Sequence, residues 1–158
     1  MIHEEIGDLM AQARAGSSWM GLDLGTKTIG VAVSDRLLSS ATPLHTIRRV
    51  KFSKDAEALL EVIENREIGA IILGLPRNMD GSEGPRCQST RAFGRNLASL
   101  TDLPIGYWDE RLSTVAAERA LLEADTSRKR RAEVIDHVAA GYILQGALDR
   151  ARHIRTVG

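Results

Sequence analysis

An aspartate set inside an apolar run constrains this chain more than any other feature. Residues 21–35 read Gly21-Leu22-Asp23-Leu24-Gly25-Thr26-Lys27-Thr28-Ile29-Gly30-Val31-Ala32-Val33-Ser34-Asp35. Two apolar runs flank a tight polar turn, the pattern of two paired strands. Aspartate is a poor strand former, and a buried carboxylate needs a partner charge, a metal or a raised pKa. Glycines on both sides of the turn allow close approach of backbone or ligand. Two readings follow. Asp23 faces a cation or phosphate, or it is hydrogen-bonded into its own turn.

The bulk numbers narrow the class. A chain of 158 residues, 43% hydrophobic, is one domain with an ample core. Lys plus Arg equals Asp plus Glu at 21 each, so net charge points to no nucleic-acid partner, although local charge can. No apolar run approaches the roughly 18 residues of a membrane span, and no membrane partner is expected. Glu4, Glu5 and Asp8 near the start do not make a secretory signal. The single Cys87 excludes an internal disulfide and fits a reducing cytoplasm. No histidine constellation surrounds it, so it is read as a bystander.

Periodicity lays out the elements. Ile6, Leu9, Met10 and Ala13 predict a helix over residues 3–15, ending at Gly16 and peripheral to the sheet. Strands are expected over 18–24, 28–35 and 41–47, with Pro43 marking an edge position. Ser53 is placed as the cap of a helix to 66. The apolar run Ala70-Ile71-Ile72-Leu73-Gly74 reads as a strand buried on both faces. A polar, Gly-rich loop follows to Gly84, and Pro85 opens a helix to about 100. A strand over 103–108 ends at Asp109-Glu110-Arg111. A helix is expected from Ser113 or Thr114 to about 124, then a long one over 128–151. This order implies an α/β sheet whose first three strands form an antiparallel meander and whose later strands run parallel.

Three acids stand out on this frame. Asp23 lies in the first of the paired strands. Glu110 ends the last strand, and in α/β sheets strand C-termini face the ligand crevice. Asp136 sits in the apolar stretch Val134-Ile135-Asp136-His137-Val138-Ala139-Ala140, sharing a helical stripe with Ala140, Ile143 and Ala147. Acid clusters of this kind hold hard divalent cations, and in a two-metal site such ions drive phosphodiester hydrolysis. Singly, each acid is also explained as an ion pair: Asp23 with Lys27, Glu110 with Arg111, Asp136 with Arg131 or His137. Strand alternation sends Asp109 and Glu110 to opposite faces, and which one points inward is open.

These pieces together resemble the pre-16S rRNA nuclease family, also called YqgF or RuvX-like (Holliday-junction-resolvase-like) proteins. The resemblance covers residues 19–150. It is carried by Gly21-Leu22-Asp23-Leu24-Gly25 with Gly30-Val31-Ala32-Val33-Ser34-Asp35; by Gly74-Leu75-Pro76 with Asn78, Asp80-Gly81 and Gly84-Pro85; by Asp109-Glu110-Arg111-Leu112-Ser113-Thr114; and by Ser127-Arg128-Lys129-Arg130-Arg131 followed by Ile135-Asp136-His137-Val138-Ala139-Ala140. It implies an RNase H-like, three-layer α/β fold with a mixed five-stranded sheet. It implies a cytoplasmic hydrolase that matures the 5′ end of pre-16S rRNA, with Asp23, Glu110 and Asp136 as catalytic acids binding Mg²⁺ or Mn²⁺ as two ions. Older usage infers junction resolution instead. Expected boundaries are an N-terminal helical extension over 1–17, the nuclease domain over 18–152 and a tail over 153–158. Residues 1–17 precede the usual start, and His137 stands where a lysine is as readily expected.

The partner is then a nucleic acid, an RNA precursor or branched DNA. Lys27, Asn78, Ser82, Arg86, Arg111, Arg128, Lys129, Arg130 and Arg131 are the groups assigned to hold it, because phosphates attract such side chains. The plainer readings are solvated helix faces for the cations and turn chemistry for Asn78 and Ser82. Tyr107 and Trp108 read as strand packing, Trp19 as edge packing. Two rivals remain. The Asp23-Leu24-Gly25-Thr26-Lys27-Thr28 turn also looks like the first phosphate loop of sugar kinases and actin-like ATPases, but those need a second such domain. A non-catalytic nucleic-acid-binding module is the other. A monomer suffices for trimming, whereas junction resolution favours a symmetric homodimer.

Overall fold

The computed structural model describes residues 1–112 and 128–157, with the backbone alone described for 128–136 and 157. Among the described residues six strands form one sheet: β1 (Ile2–His3), β2 (Ser18–Leu24), β3 (Thr28–Ser34), β4 (Ala41–Arg48), β5 (Ile68–Leu75) and β6 (Ile105–Asp109). Their spatial order is β1-β6-β5-β2-β3-β4. The β2–β3–β4 meander is antiparallel, whereas β5 joins β2, and β6 joins β5, in parallel. Among the described residues four helices accompany the sheet: α1 (Ile6–Gln12), α2 (Phe52–Arg66), α3 (Pro85–Ala98) and α4 (Arg128–Val157). The helix expected from Ser113 or Thr114 falls outside the described residues.

Two apolar clusters sandwich the sheet. Met20, Leu22 and Leu24 of β2 pack with Leu59 of α2 and with Phe93 and Leu97 of α3. Trp19, Ala70, Ile72 and Trp108 pack on the other face with Ala140, Ile143, Leu144 and Leu148 of α4. Side-chain alternation therefore assigns one face of each central strand to α2 and α3 and the other to α4. α4 lies close because its partners are small. A Cβ at Gly21 would stand 2.6 Å from Leu144 Cβ, and one at Gly146 would stand 2.6 Å from Trp108 Cε2.

Four sequence expectations need correction. The sheet has six strands rather than five, because Ile2 and His3 pair in parallel with Ile105 and Gly106. The N-terminal helix covers Ile6–Gln12 only, and it is not peripheral: Leu9 is fully buried, its Cδ1 2.6 Å from where a Gly106 Cβ would be. No periodicity signal marks a two-residue strand, and Glu4 and Glu5 made that stretch look solvated. Ser53 does not cap α2, whose N-cap position is Lys51, without a side-chain cap bond. Trp19 is not at an edge but buried within β2. Pro43 does lie on an edge strand, and Pro85 does open α3.

Candidate active site

The site is built where β2, β5 and β6 end together. Asp23 lies on the α4 face, since its neighbours Leu22 and Leu24 pack towards α2 and α3. The register pairs Leu22 with Leu73, so one step on Asp23 stands level with Gly74 of β5. Gly74 in turn pairs with Trp108 of β6. Beyond Asp109 the chain tightens into a 3-10 turn, Glu110–Leu112. That turn sends the Glu110 side chain back over the sheet. Its Oε2 lies 3.3 Å from where a Cβ of Gly74 would be. Asp23 and Glu110 are thus two buried carboxylates, 5% and 9% exposed, brought together over a residue with no side chain. The missing Cβ makes the space: an added one would also stand 2.4 Å from Ile143 Cδ1.

Asp109 has a different role. Arg111 donates to both of its carboxylate oxygens, at 2.7 Å from Nη2 and 3.1 Å from Nε, and the Arg111 backbone N–H adds a bond of 3.0 Å. Those bonds hold the Asp109 carboxyl below its usual pKa. The ion pair expected between Arg111 and Glu110 is therefore made with Asp109 instead.

The same row of the sheet continues across β3 and β4, where Asp23 pairs with Gly30 and Gly30 with Thr46. Thr46 Oγ1 and His137 Nδ1 share a hydrogen bond of 2.9 Å, fixing α4 to β4. Ile143 lies over Gly74, and position 136 precedes it by seven residues on one helical stripe, ~10 Å along the axis. The Asp136 carboxylate itself lies outside the described side chains. Among the described residues no third His, Cys, Asp or Glu joins Asp23 and Glu110.

The other assigned residues divide. Lys27 is exposed on the β2–β3 turn. Asn78 and Ser82 tie their loop to itself: Asn78 Nδ2 donates to Ser82 Oγ at 3.0 Å, and Ser82 donates to Asp80 from its hydroxyl at 2.6 Å and its backbone at 2.9 Å. Arg86 Nη2 donates to the Leu24 carbonyl at 3.2 Å. Arg111 also reaches the Met79 carbonyl at 3.4 Å, linking the loop to β6. Arg128, Lys129, Arg130 and Arg131 have side chains outside the described ones. Arg91 of α3 is engaged within the fold: it binds Glu83 of the loop bidentately at 2.6 and 2.8 Å and Glu4 at 3.0 Å, over the Tyr107 ring. Its spacing of eight residues from Glu83 was a readable signal; its pairing with Glu4 was not.

A sheet in this order, with acids at the ends of β2 and β6 and a long helix laid over them, is an RNase H-like fold. Two solved structures share it: the Thermus thermophilus RuvC in complex with a Holliday junction substrate (TM-score 0.53, 15% identity, 87% of this chain and 96% of that one) and the yeast mitochondrial Holliday junction resolvase Ydc2 (0.50, 12%, 94% and 86%). The family model described as RuvX: Holliday junction resolvase matches residues 17–150, and the chain belongs to that family. Membership places it among phosphodiester-cleaving hydrolases. A relative from Ruegeria sp. (strain TM1040) is 72% identical over 156 residues, covering 99% of each chain, and one from Ruegeria pomeroyi is 70% identical over 154 residues, covering 98% of this chain and all of its own. Both carry the name "Putative pre-16S rRNA nuclease".

Proposed function

We propose that this chain cuts the 5′ end of pre-16S rRNA in the cytoplasm, using Asp23, Glu110 and Asp136 to hold divalent cations. The observation that carries the chemistry is the meeting of two buried carboxylates over Gly74. The substrate is taken from relatives that match the chain end to end.

A metal fits the residues present. Carboxylate oxygens are the hard donors that Mg²⁺ and Mn²⁺ prefer, and the missing Cβ at Gly74 leaves a cradle beneath Glu110 Oε2. When bound, divalent cations would supply charge stabilisation at the phosphate and lower the pKa of the attacking water. The protein's share is positional. β2 and β5 fix Asp23 at the sheet end. The 3-10 turn aims Glu110, and the Asp109–Arg111 clamp keeps the competing carboxylate out. The basic groups Lys27, Arg86 and Arg128, Lys129, Arg130 and Arg131 would take the backbone phosphates.

A second reading is junction resolution, favoured by the family's description. One assay separates the two. Single-stranded precursor oligonucleotides and four-way junctions are incubated with Mg²⁺ or Mn²⁺, with Asp23→Asn as the control. Cleavage of the precursor alone supports rRNA maturation by a monomer. Cleavage of the junction alone, by a symmetric dimer in sedimentation, supports the second reading. Equal cutting by Asp23→Asn would return Asp23 to a turn residue.

A further inference from the structure

A cleft of about 290 Å³ opens beside the β2–β3 hairpin, on the α3 side of the sheet. Thr26, Arg49, Arg86 and Ser89 line it. Arg49 Nη1 donates to the Gly25 carbonyl at 2.6 Å and Arg86 Nη2 to the Leu24 carbonyl at 3.2 Å. Two guanidiniums are therefore anchored side by side, one and two residues past Asp23. The anchors are carbonyls, which fix the side chains without neutralising them. A guanidinium has five N–H donors, so each keeps donors to spare. Arg49 is offset in part by the buried Asp55, 3.8 Å from its Nε, but Asp55 also accepts from the Val50 backbone at 3.1 Å. Among the described residues Arg86 makes no ion pair, and its bond is to the Leu24 carbonyl.

The surroundings add to the charge. α3 begins at the cleft with no side-chain cap bond and no acid in its first turn, so the positive end of its dipole lies there. Lys27, Arg48 and Lys51 are exposed nearby along the hairpin and the end of β4. In a chain of zero formal net charge, this concentration is local.

We propose that this cleft is a phosphodiester subsite, holding a backbone phosphate of the same strand whose scissile bond lies over Asp23 and Glu110. The proposal rests on the nuclease reading. Paired guanidiniums bind phosphate oxygens bidentately, and the Thr26 and Ser89 hydroxyls can add bonds. Among the described residues no aromatic side chain lines the cleft, so it reads the backbone and not the bases. The cleft and the acids lie on opposite faces of the sheet, across the end of β2 from each other. A strand crossing the end of β2 would engage both.

The test is fluorescence anisotropy with a labelled single-stranded RNA, in EDTA so that nothing is cut, at salt from about 50 to about 200 mM. The variants are Arg86→Ala, Arg49→Gln and Arg49→Lys. Arg49 also lies 5.7 Å from the Phe93 ring centroid, so thermal melts accompany the series, and Arg86→Ala decides if Arg49→Gln fails to fold. Arg86→Ala should bind about tenfold more weakly at low salt, with the slope of log K against log salt shallower by about one. Arg49→Lys should keep most of the slope. With metal restored, the loss should fall on KM and not on kcat. A folded Arg86→Ala with unchanged affinity and slope overturns the subsite. Wild-type protein that binds RNA with this arginine dependence but never cuts it would sink the nuclease reading and leave the subsite standing.

Discussion

Arg111 clamps Asp109, with its shortest contact at 2.7 Å, while the next carboxylate along turns to the opposite face of the sheet. Exchanging either for its amide should therefore read differently. Glu110→Gln should lower cleavage at least about a hundredfold, as loss of a transition-state charge contact does, and leave RNA binding intact. Asp109→Asn should keep cleavage within a few-fold but change the acid limb of stability. The Asp109 pKa is lowered, first by the Arg111 side chain. A depressed folded pKa gives stability that is complete above the unfolded value, about 3.9. That stability is lost as pH falls from there through the folded value. Urea unfolding from pH 6 downward should show a shallower decline in Asp109→Asn than in the parent; identical slopes would remove the clamp from the account. Gly74→Ala should destabilise by about 1–3 kcal/mol through overpacking against Ile143, and it should also displace Glu110, so activity should fall further than stability predicts.

The elements that sequence reasoning recovered best are those with long periodic patterns. β2, β3 and β5, and the start of α3 at Pro85, were legible because burial on both faces, alternation and proline placement each leave a local trace. What was not legible depends on distant partners. Ile2–His3 is a strand only because β6 offers an edge, and Arg91 matters only because α3 brings it between Glu4 and the loop at Glu83. The inward turn of Glu110 was likewise undecided, since alternation stops where a 3-10 turn begins. The N-terminal segment is the clearest case. It seals β6 with Leu9 and ties down the loop with Glu4. Leu9→Ala should cost about 2–5 kcal/mol, read by urea unfolding, an effect a peripheral helix would not give. Glu4→Gln should leave global stability within about 0.5 kcal/mol, as an exposed pair does. It should raise hydrogen exchange over residues 76–84, and unchanged exchange there would show that Glu83 alone orders Arg91.

At the scale of the whole molecule, a neutral chain concentrates opposite charges at one end of its sheet, acids over Gly74 and cations around the hairpin. The acids were visible as sequence because an aspartate inside an apolar run has few explanations, and their meeting at one sheet edge was expected because strand C-termini face the crevice; only the register of the strands puts Asp23 level with Gly74. That convergence has a thermodynamic consequence. Burying two carboxylates in one corner costs hydration, a cost that a bound cation would offset. Mg²⁺ at about a hundred times its dissociation constant would add about 2.7 kcal/mol by mass action. Asp23→Asn removes one charge and one ligand together. It should therefore melt at or above the parent in EDTA, gain less than the parent on adding Mg²⁺, and cut no RNA. Calorimetric melts of both proteins with and without the ion decide the matter. If the two gain equally from Mg²⁺, the ion is not held by Asp23, and the acids over Gly74 serve packing instead of cleavage.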